Sequence, residues 1–216
     1  MTDETTRVLV RMNDVAFALS ESARFGHTLS RLQLQKFIYL SDVVGYVFEM
    51  LPPAQAHVTY KRGPFDAAIQ NAVDALLFRG FVEASGVQKD SLGNIHANYR
   101  LTSAGEQWCA LTRERMVFEK DRQVAAAIAN HVEELGWTRL KKLVYAEPTF
   151  MTTRLQGFGK ELNINDGLKN TASALFGLLD VGLRSGFPNS SRDPYLIIQL
   201  LFRYLDQADA LRRQES

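Results

Sequence analysis

A chain of 216 residues that is 46% hydrophobic and 23% charged has enough apolar side chains to bury a core, as one large domain or two small ones. Its 25 Lys and Arg nearly balance 24 Asp and Glu, and the formal charge of +1 supplies no global field for DNA or an anionic membrane, so such a partner must be met by a local patch. One cysteine, Cys109, excludes an internal disulfide, and the polar start Met1-Thr2-Asp3-Glu4-Thr5-Thr6 lacks the basic and then apolar run of a signal peptide, which together predict a reducing cytoplasm.

From Asp3 to about Arg24, Val8, Met12, Val15, Ala16 and Leu19 recur at three- and four-residue steps, the spacing of an amphipathic helix that Gly26 ends. Ser30-Arg31-Leu32-Gln33 has the form of a capping box and starts a second helix, Arg31 to about Phe48. Its apolar residues Leu34, Phe37, Ile38, Leu40, Val43, Val44, Val47 and Phe48 cover more than one stripe, as in a central helix, and Pro52-Pro53 stops it. Gly63-Pro64 predicts a third helix start, because proline presets the angle of a first helical position and has no amide hydrogen to leave unpaired there. That helix runs from Pro64 to Arg79 on Phe65, Ile69, Ala72, Val73, Leu76 and Leu77, with Gly80 after it. The period then changes. Phe81 to Ala84 reads as a strand, Gly86 to Asn98 as a polar turn region and Tyr99 to Thr102 as a returning strand. Thr102 caps a further helix, whose first turn holds Glu106 where the helix dipole favours a carboxylate.

The remainder reads as helical. Arg113 to Leu135 ends at Gly136, Thr138 to Tyr145 is a short basic helix stopped before Pro148, and Thr149 to Asp166 contains polar turns. Gly167 to Val181 and Pro194 to Leu211 are two more helices, separated by the Gly, Pro, Asn and Ser cluster of Gly182 to Asp193. The fold class expected is mainly α: a winged helix-turn-helix with one β-hairpin wing over residues 1–118, followed by a helical region or domain over 119–216, with the boundary near residue 120 or inside one long helix. The most apolar segments, Leu34 to Phe48 and Tyr195 to Leu205, are interrupted by polar residues and fall short of the ~20 needed to span a bilayer, so no membrane is expected as a partner.

Candidate binding residues follow from these placements. Lys61 and Arg62 stand just ahead of the expected helix start, where cations and free amide hydrogens together can hold a phosphate; a tight helix start with solvated charges explains the same residues. The third helix is the one that would enter a DNA groove. Asp66, Gln70, Asn71 and Asp74 lie opposite its apolar stripe, and two carboxylates there oppose phosphate, although Gln70 and Asn71 can read adenine. In the wing, Lys89, His96 and Arg100 add little positive charge. Arg139, Lys141 and Lys142 after Trp137 form the densest basic cluster, a footprint for phosphate or an acidic partner, or a solvated helix face beside a core indole.

No catalytic constellation is visible. Gly157-Phe158-Gly159-Lys160 lacks the first glycine and the final Ser or Thr of a phosphate loop, since Arg154 and Glu161 take those places. His27, His57, His96 and His131 show no ligand spacing with each other or with Cys109, a small core residue in the expected arrangement. Asn163-Ile164-Asn165-Asp166-Gly167 would put Ala174 at the bidentate position of a calcium loop and reads as a turn, while Glu133-Glu134 reads as a solvated acidic pair. No cofactor or metal is expected, nor an enzyme.

Leu32-Gln33-Leu34-Gln35-Lys36-Phe37-Ile38-Tyr39-Leu40, then Tyr60-Lys61-Arg62-Gly63-Pro64-Phe65, then Leu76 to Val82 and Tyr99-Arg100-Leu101-Thr102-Ser103-Ala104-Gly105 resemble the pattern of prokaryotic winged-helix proteins of the Panacea type, which include SocA-like antitoxins and small proteins encoded beside bacterial defence systems. The likeness covers about residues 30 to 107; the helical tail with Tyr145-Ala146-Glu147-Pro148-Thr149-Phe150 departs from it. It implies a non-enzymatic module that binds a protein partner encoded nearby, a toxin or a defence effector, and sometimes acts on its own operon. The expected functions are therefore an interaction module of a toxin-antitoxin or phage-defence system, a winged-helix DNA-binding regulator, or a subunit of a larger defence complex. The first or last helix is where a homodimer would form.

Overall fold

The computed structural model describes residues 3–48, 50, 56–91, 93, 95–114, 119–167, 170, 172–175, 177 and 194–214. Helix α1, Asp3–Ala23, buries the stripe expected of it through Met12, Val15, Ala16 and Leu19, and Gly26 follows it with φ 75°. The short strand β1, Leu29–Ser30, leads into α2, Arg31–Gly45, and a 3-10 turn at Tyr46–Phe48. Ser30 and Gln33 form the full reciprocal capping box. The helix is buried on several sides, from Leu34 through Val44, which is why its sequence shows no single apolar stripe. The predicted terminator Pro52-Pro53 lies outside the described residues.

At Gly63-Pro64 the structure corrects the sequence reading. Strand β2, Val58–Tyr60, turns at Lys61 and Arg62 into β3, Gly63–Phe65, with Thr59 opposite Pro64, and helix α3 begins only at Ala67 and ends at Phe78. Pro64 is tolerated in a strand because β3 lies at the edge of a two-stranded sheet. The helix N-cap is Asp66, whose side chain accepts from the Ala68 amide. Gly63 has φ 104°, and a β-carbon there would strike the end of the Lys36 side chain, so the glycine serves a turn and a close approach rather than a helix start. The far edge of β2 is taken by the segment Gly157 to Leu162, through Thr59 N to Lys160 O at 2.8 Å and Leu162 N to His57 O at 2.9 Å. The fragment Gly157-Phe158-Gly159-Lys160, which resembles the end of a phosphate loop, is thus a partner of strand β2.

The hairpin is longer than the sequence suggested. Strand β4, Val82–Lys89, pairs antiparallel with β5, Ile95–Leu101, and β5 also pairs with β1, giving a three-stranded sheet in the order β1-β5-β4. Beyond Val82 every residue of β4 is exposed, so no apolar alternation marked that strand. Thr102 caps α4, Ser103–Arg113, as expected, and its hydroxyl accepts from the Gly105 amide at 3.1 Å.

Helix α5, Glu119–Ala146, is broken at Gly136, where φ is 77°, the place the sequence marked as the end of one helix. Pro148 does not merely stop it. It is the first residue of α6, Pro148–Arg154, with Glu147 as N-cap, a helix where the sequence shows polar turns. Residues 172–175 and 177 are helical, and α7, Pro194–Gln214, follows; the expected linker Gly182 to Asp193 lies outside the described residues. One hydrophobic cluster joins α1, α2 and α3 to α5, Leu162, Ile164 and α7, with Cys109 buried in it. The chain is mainly helical with small antiparallel sheets, and none of the described helices is long and apolar enough to cross a membrane.

Candidate functional site

Two polar features stand behind the surface. The first is centred on Arg11, which lies on the apolar stripe of α1 and is fully buried. Its Nε donates to Asp66 at 2.8 Å, Nη2 donates to Asp42 at 2.6 Å, and Nη1 donates to both Asp14 at 2.7 Å and Asp42 at 3.1 Å. His57 Nε2 lies 2.6 Å from Asp42, and the backbone of Asp66 exchanges two 2.8 Å hydrogen bonds with Gln35. Tyr39 completes the layer by donating to Glu147 at 2.5 Å while its ring meets His57 edge-on. One guanidinium therefore joins α1, α2 and the start of α3, and one phenol joins α2 to α6. Arg11 fills the space between the three carboxylates, and this cluster is a structural joint.

Electrostatics agree with that. Burial opposes the charge on Arg11, yet Asp42, Asp14 and Asp66 outweigh it and raise its pKa. Burial also pushes Asp42 upward, but Arg11 and His57 hold it below the ordinary carboxylate range. Burial wins at Asp14, which is raised to about 7.

The second feature is a basic cradle. Lys36, which the sequence reading passed over, is 3% exposed in α2 and donates to the Arg62 carbonyl. Its Nζ lies 5.4 Å from the centre of the Tyr145 ring, and the Arg154 guanidinium lies 5.7 Å from the same ring. A cleft of about 160 Å³ is lined by Leu32, Gln33, Lys36, Trp137, Thr138 and Lys141. A second, of about 280 Å³, shares Thr138 and Lys141 and adds Lys142, Tyr145, Ala146 and Asp209. Among the described residues no carboxylate pairs with Lys36, Arg62, Lys141, Lys142 or Arg154. Burial, with Lys141 adding to it, lowers the Lys36 amine to about 7.

That shift has a measurable sign. The unfolded amine, near 10.5, holds a proton between about pH 7 and 10.5 that the folded amine releases, so stability contributed here rises with pH across that window and is lost below it. Lys36→Met should flatten the rise and stabilise the protein at pH 7 by about 1–3 kcal/mol, read by urea denaturation at pH 7 and pH 10.

The other sequence-selected residues are placed as follows. Lys61 and Arg62 are exposed at the β2–β3 turn, not at a helix N-terminus. The α3 terminus is closed by the carboxylate of Asp66, which is 1% exposed, so neither the phosphate reading of that terminus nor the outward-facing position assigned to Asp66 holds. Gln70, Asn71 and Asp74 do face outward, and Asp74 pairs with Arg31 at 2.5 Å. In the hairpin Lys89 is exposed, Arg100 pairs with Glu83 at 2.5 Å and His96 with Asp90 at 3.0 Å. Arg139 is tied to Asp206 at 2.6 Å, which separates it from the cradle that Lys141 and Lys142 enter. Of these residues, the structure gathers Arg62, Lys141 and Lys142 around Lys36, Tyr145 and Arg154, which the sequence did not single out.

A third surface is apolar. Leu9, Met12, Asn13, Arg79, Trp108, Leu111 and Thr112 line an open cleft of about 420 Å³ between α1 and α4. Leu9, Val10 and Leu111 are 40%, 41% and 66% exposed, and Phe78, at the end of α3 next to Arg79, is 94% exposed. No protein-family model and no curated protein matches the chain.

Proposed function

We propose that the protein is a non-enzymatic winged helix-turn-helix module that docks a protein partner, a toxin or effector of a bacterial toxin-antitoxin or phage-defence system in the cytoplasm. The observation that carries this reading is the contrast between its two outer faces. Helix α3 contains no Lys or Arg between Ala67 and Phe78, and the Asp74 carboxylate on its outer face is already engaged by Arg31. Phosphate neutralisation, the main source of affinity for DNA, has nothing to work with there. The hairpin adds little, since Arg100 and His96 are each held by a carboxylate. Beside α3 lies the apolar cleft, lined by the exposed Leu9 and Leu111 and by Arg79, with the exposed Phe78 preceding Arg79 in the chain, a setting for an amphipathic helix that brings apolar anchors and one acid. The order of α2, α3, β4, β5 and α4, with the hairpin after the third helix, fits the winged-helix and Panacea-type reading.

Co-expression with the product of the adjacent gene tests it. The complex is expected to co-purify, and Leu111→Glu is expected to weaken it by at least about tenfold while leaving the melting temperature of the isolated protein within a degree or two. A protein that elutes alone from every neighbouring gene product, or a mobility shift of its own promoter at low salt that Leu111→Glu leaves intact, contradicts the reading in favour of a DNA-binding regulator.

A further inference from the structure

We propose that the cradle around Lys36 binds a mononucleotide, its phosphate held between Lys36 and Lys141 and its base laid against Trp137. Three observations converge. Lys36 is a buried ammonium whose hydrogen bond goes to a backbone carbonyl, that of Arg62, and no carboxylate pairs with it among the described residues. A buried cation without a counter-ion costs stability, and such an arrangement at the wall of a cleft marks a place where an anion completes the pairing. Lys141 lines the same cleft from α5, so two amines from two helices converge, which suits the dianion of a phosphate monoester better than a single carboxylate. The remaining wall is Leu32, Gln33, Thr138 and Trp137, whose indole offers the flat apolar surface that a base ring requires and whose polar neighbours can meet the base edge or the sugar.

Among the described residues the groups facing Lys36 are cationic or neutral: Arg62 from the β2–β3 turn, Lys141 and Tyr145 from α5, with Arg154 of α6 against the same Tyr145 ring; an acid, Asp209, lines the adjoining cleft. Burial raises the Tyr145 hydroxyl, and Arg154 and Arg62 oppose that rise. The Lys36 amine, lowered to about 7 by burial and by Lys141, is half protonated at neutral pH, so an arriving phosphate draws a proton onto it. The cleft is distinct from the one between α1 and α4, and the proposal stands apart from the docking reading.

The test is calorimetric titration of the full chain with AMP and with inorganic phosphate at pH 7, in two buffers of different ionisation enthalpy. AMP should bind at least about tenfold tighter than phosphate, because stacking on Trp137 adds to the charge contacts, and with net proton uptake. Lys36→Met should fold normally, weaken AMP by at least about tenfold and abolish the uptake. Trp137→Leu should bring AMP down to the affinity of phosphate. Absence of AMP binding at millimolar concentration, binding that Lys36→Met leaves unchanged, or tight capture of a single-stranded oligonucleotide with AMP ignored would each overturn the proposal.

Discussion

Arg11→Met is expected to destabilise the protein by about 3–5 kcal/mol, read as a lower urea midpoint with an unchanged slope. The guanidinium is fully buried and reaches acceptors on three elements: Asp14 of its own helix, Asp42 of α2 and Asp66 at the start of α3. Methionine fills much of the volume but leaves those carboxylates without their shared donor. Lysine should rescue little, because one compact ammonium cannot reproduce a fork that donates in four directions. The variant should also change the acid response. Asp42, held below the ordinary carboxylate range by Arg11 and His57 against burial, contributes stability that is present above the unfolded value of 3.8 and lost as pH falls through the folded one. Without Arg11 that loss should begin at a higher pH. Asp14, raised from 3.8 to about 7 by burial, works in the opposite sense, its contribution fading as pH climbs from about 4 to 7.

Gly105→Ala is the second large effect, about 3 kcal/mol of destabilisation measured by thermal or urea unfolding. The position is helical, and elsewhere on a helix alanine would be the better residue. Here a β-carbon would fall on the Phe81 carbonyl oxygen, with the Phe81 carbonyl carbon at 2.9 Å and a Leu101 methyl at 3.2 Å. That carbonyl cannot retreat cheaply. It accepts from the Thr102 amide at 3.0 Å, the bond that fixes α4 against the entry of the hairpin, and Phe81 stacks on Trp108 of α4 at 5.4 Å. The Thr-x-x-Gly spacing of Thr102 and Gly105 is therefore one device: the threonine caps the helix and the glycine lets its first turn touch the strand.

Much of this fold was legible because local chemistry and tertiary structure agreed. The Ser30-Gln33 box, the Thr102 cap, the stripe of α1 and the break at Gly136 each follow from a few neighbouring residues. The failures arise where distant partners decide. Gly63-Pro64 has the chemistry of a helix start, yet it pairs with β2, which is itself held on its far edge by the Gly157 to Leu162 segment, a partner about a hundred residues away that no local signal reports. α6 was hidden because Pro148 ends one helix and begins another, and the signal available was Glu147 as a cap before a proline.

The polar features left a trace that periodicity alone did not weigh. Arg11 falls on the line of Val8 and Val15, Asp42 four residues after Ile38, and Lys36 four before Leu40. A charge on an apolar stripe must be paired or stand at a site, which is how Arg11 and Lys36 differ: the first meets three carboxylates, the second a carbonyl and an open cleft. Composition could not separate Arg139 from Lys141 and Lys142; only the reach of Asp206 across from α7 does.

In the proposed function a protein, not DNA, meets the outer surface at α1, α4 and the end of α3. Hydrogen exchange of the chain alone and in complex with its neighbouring gene product tests this most directly. New protection is expected at residues 9–13, 78–79 and 108–112, with the outer amides of the β4–β5 hairpin unchanged. Protection confined to the hairpin and the middle of α3, with the α1–α4 cleft unchanged, would contradict it.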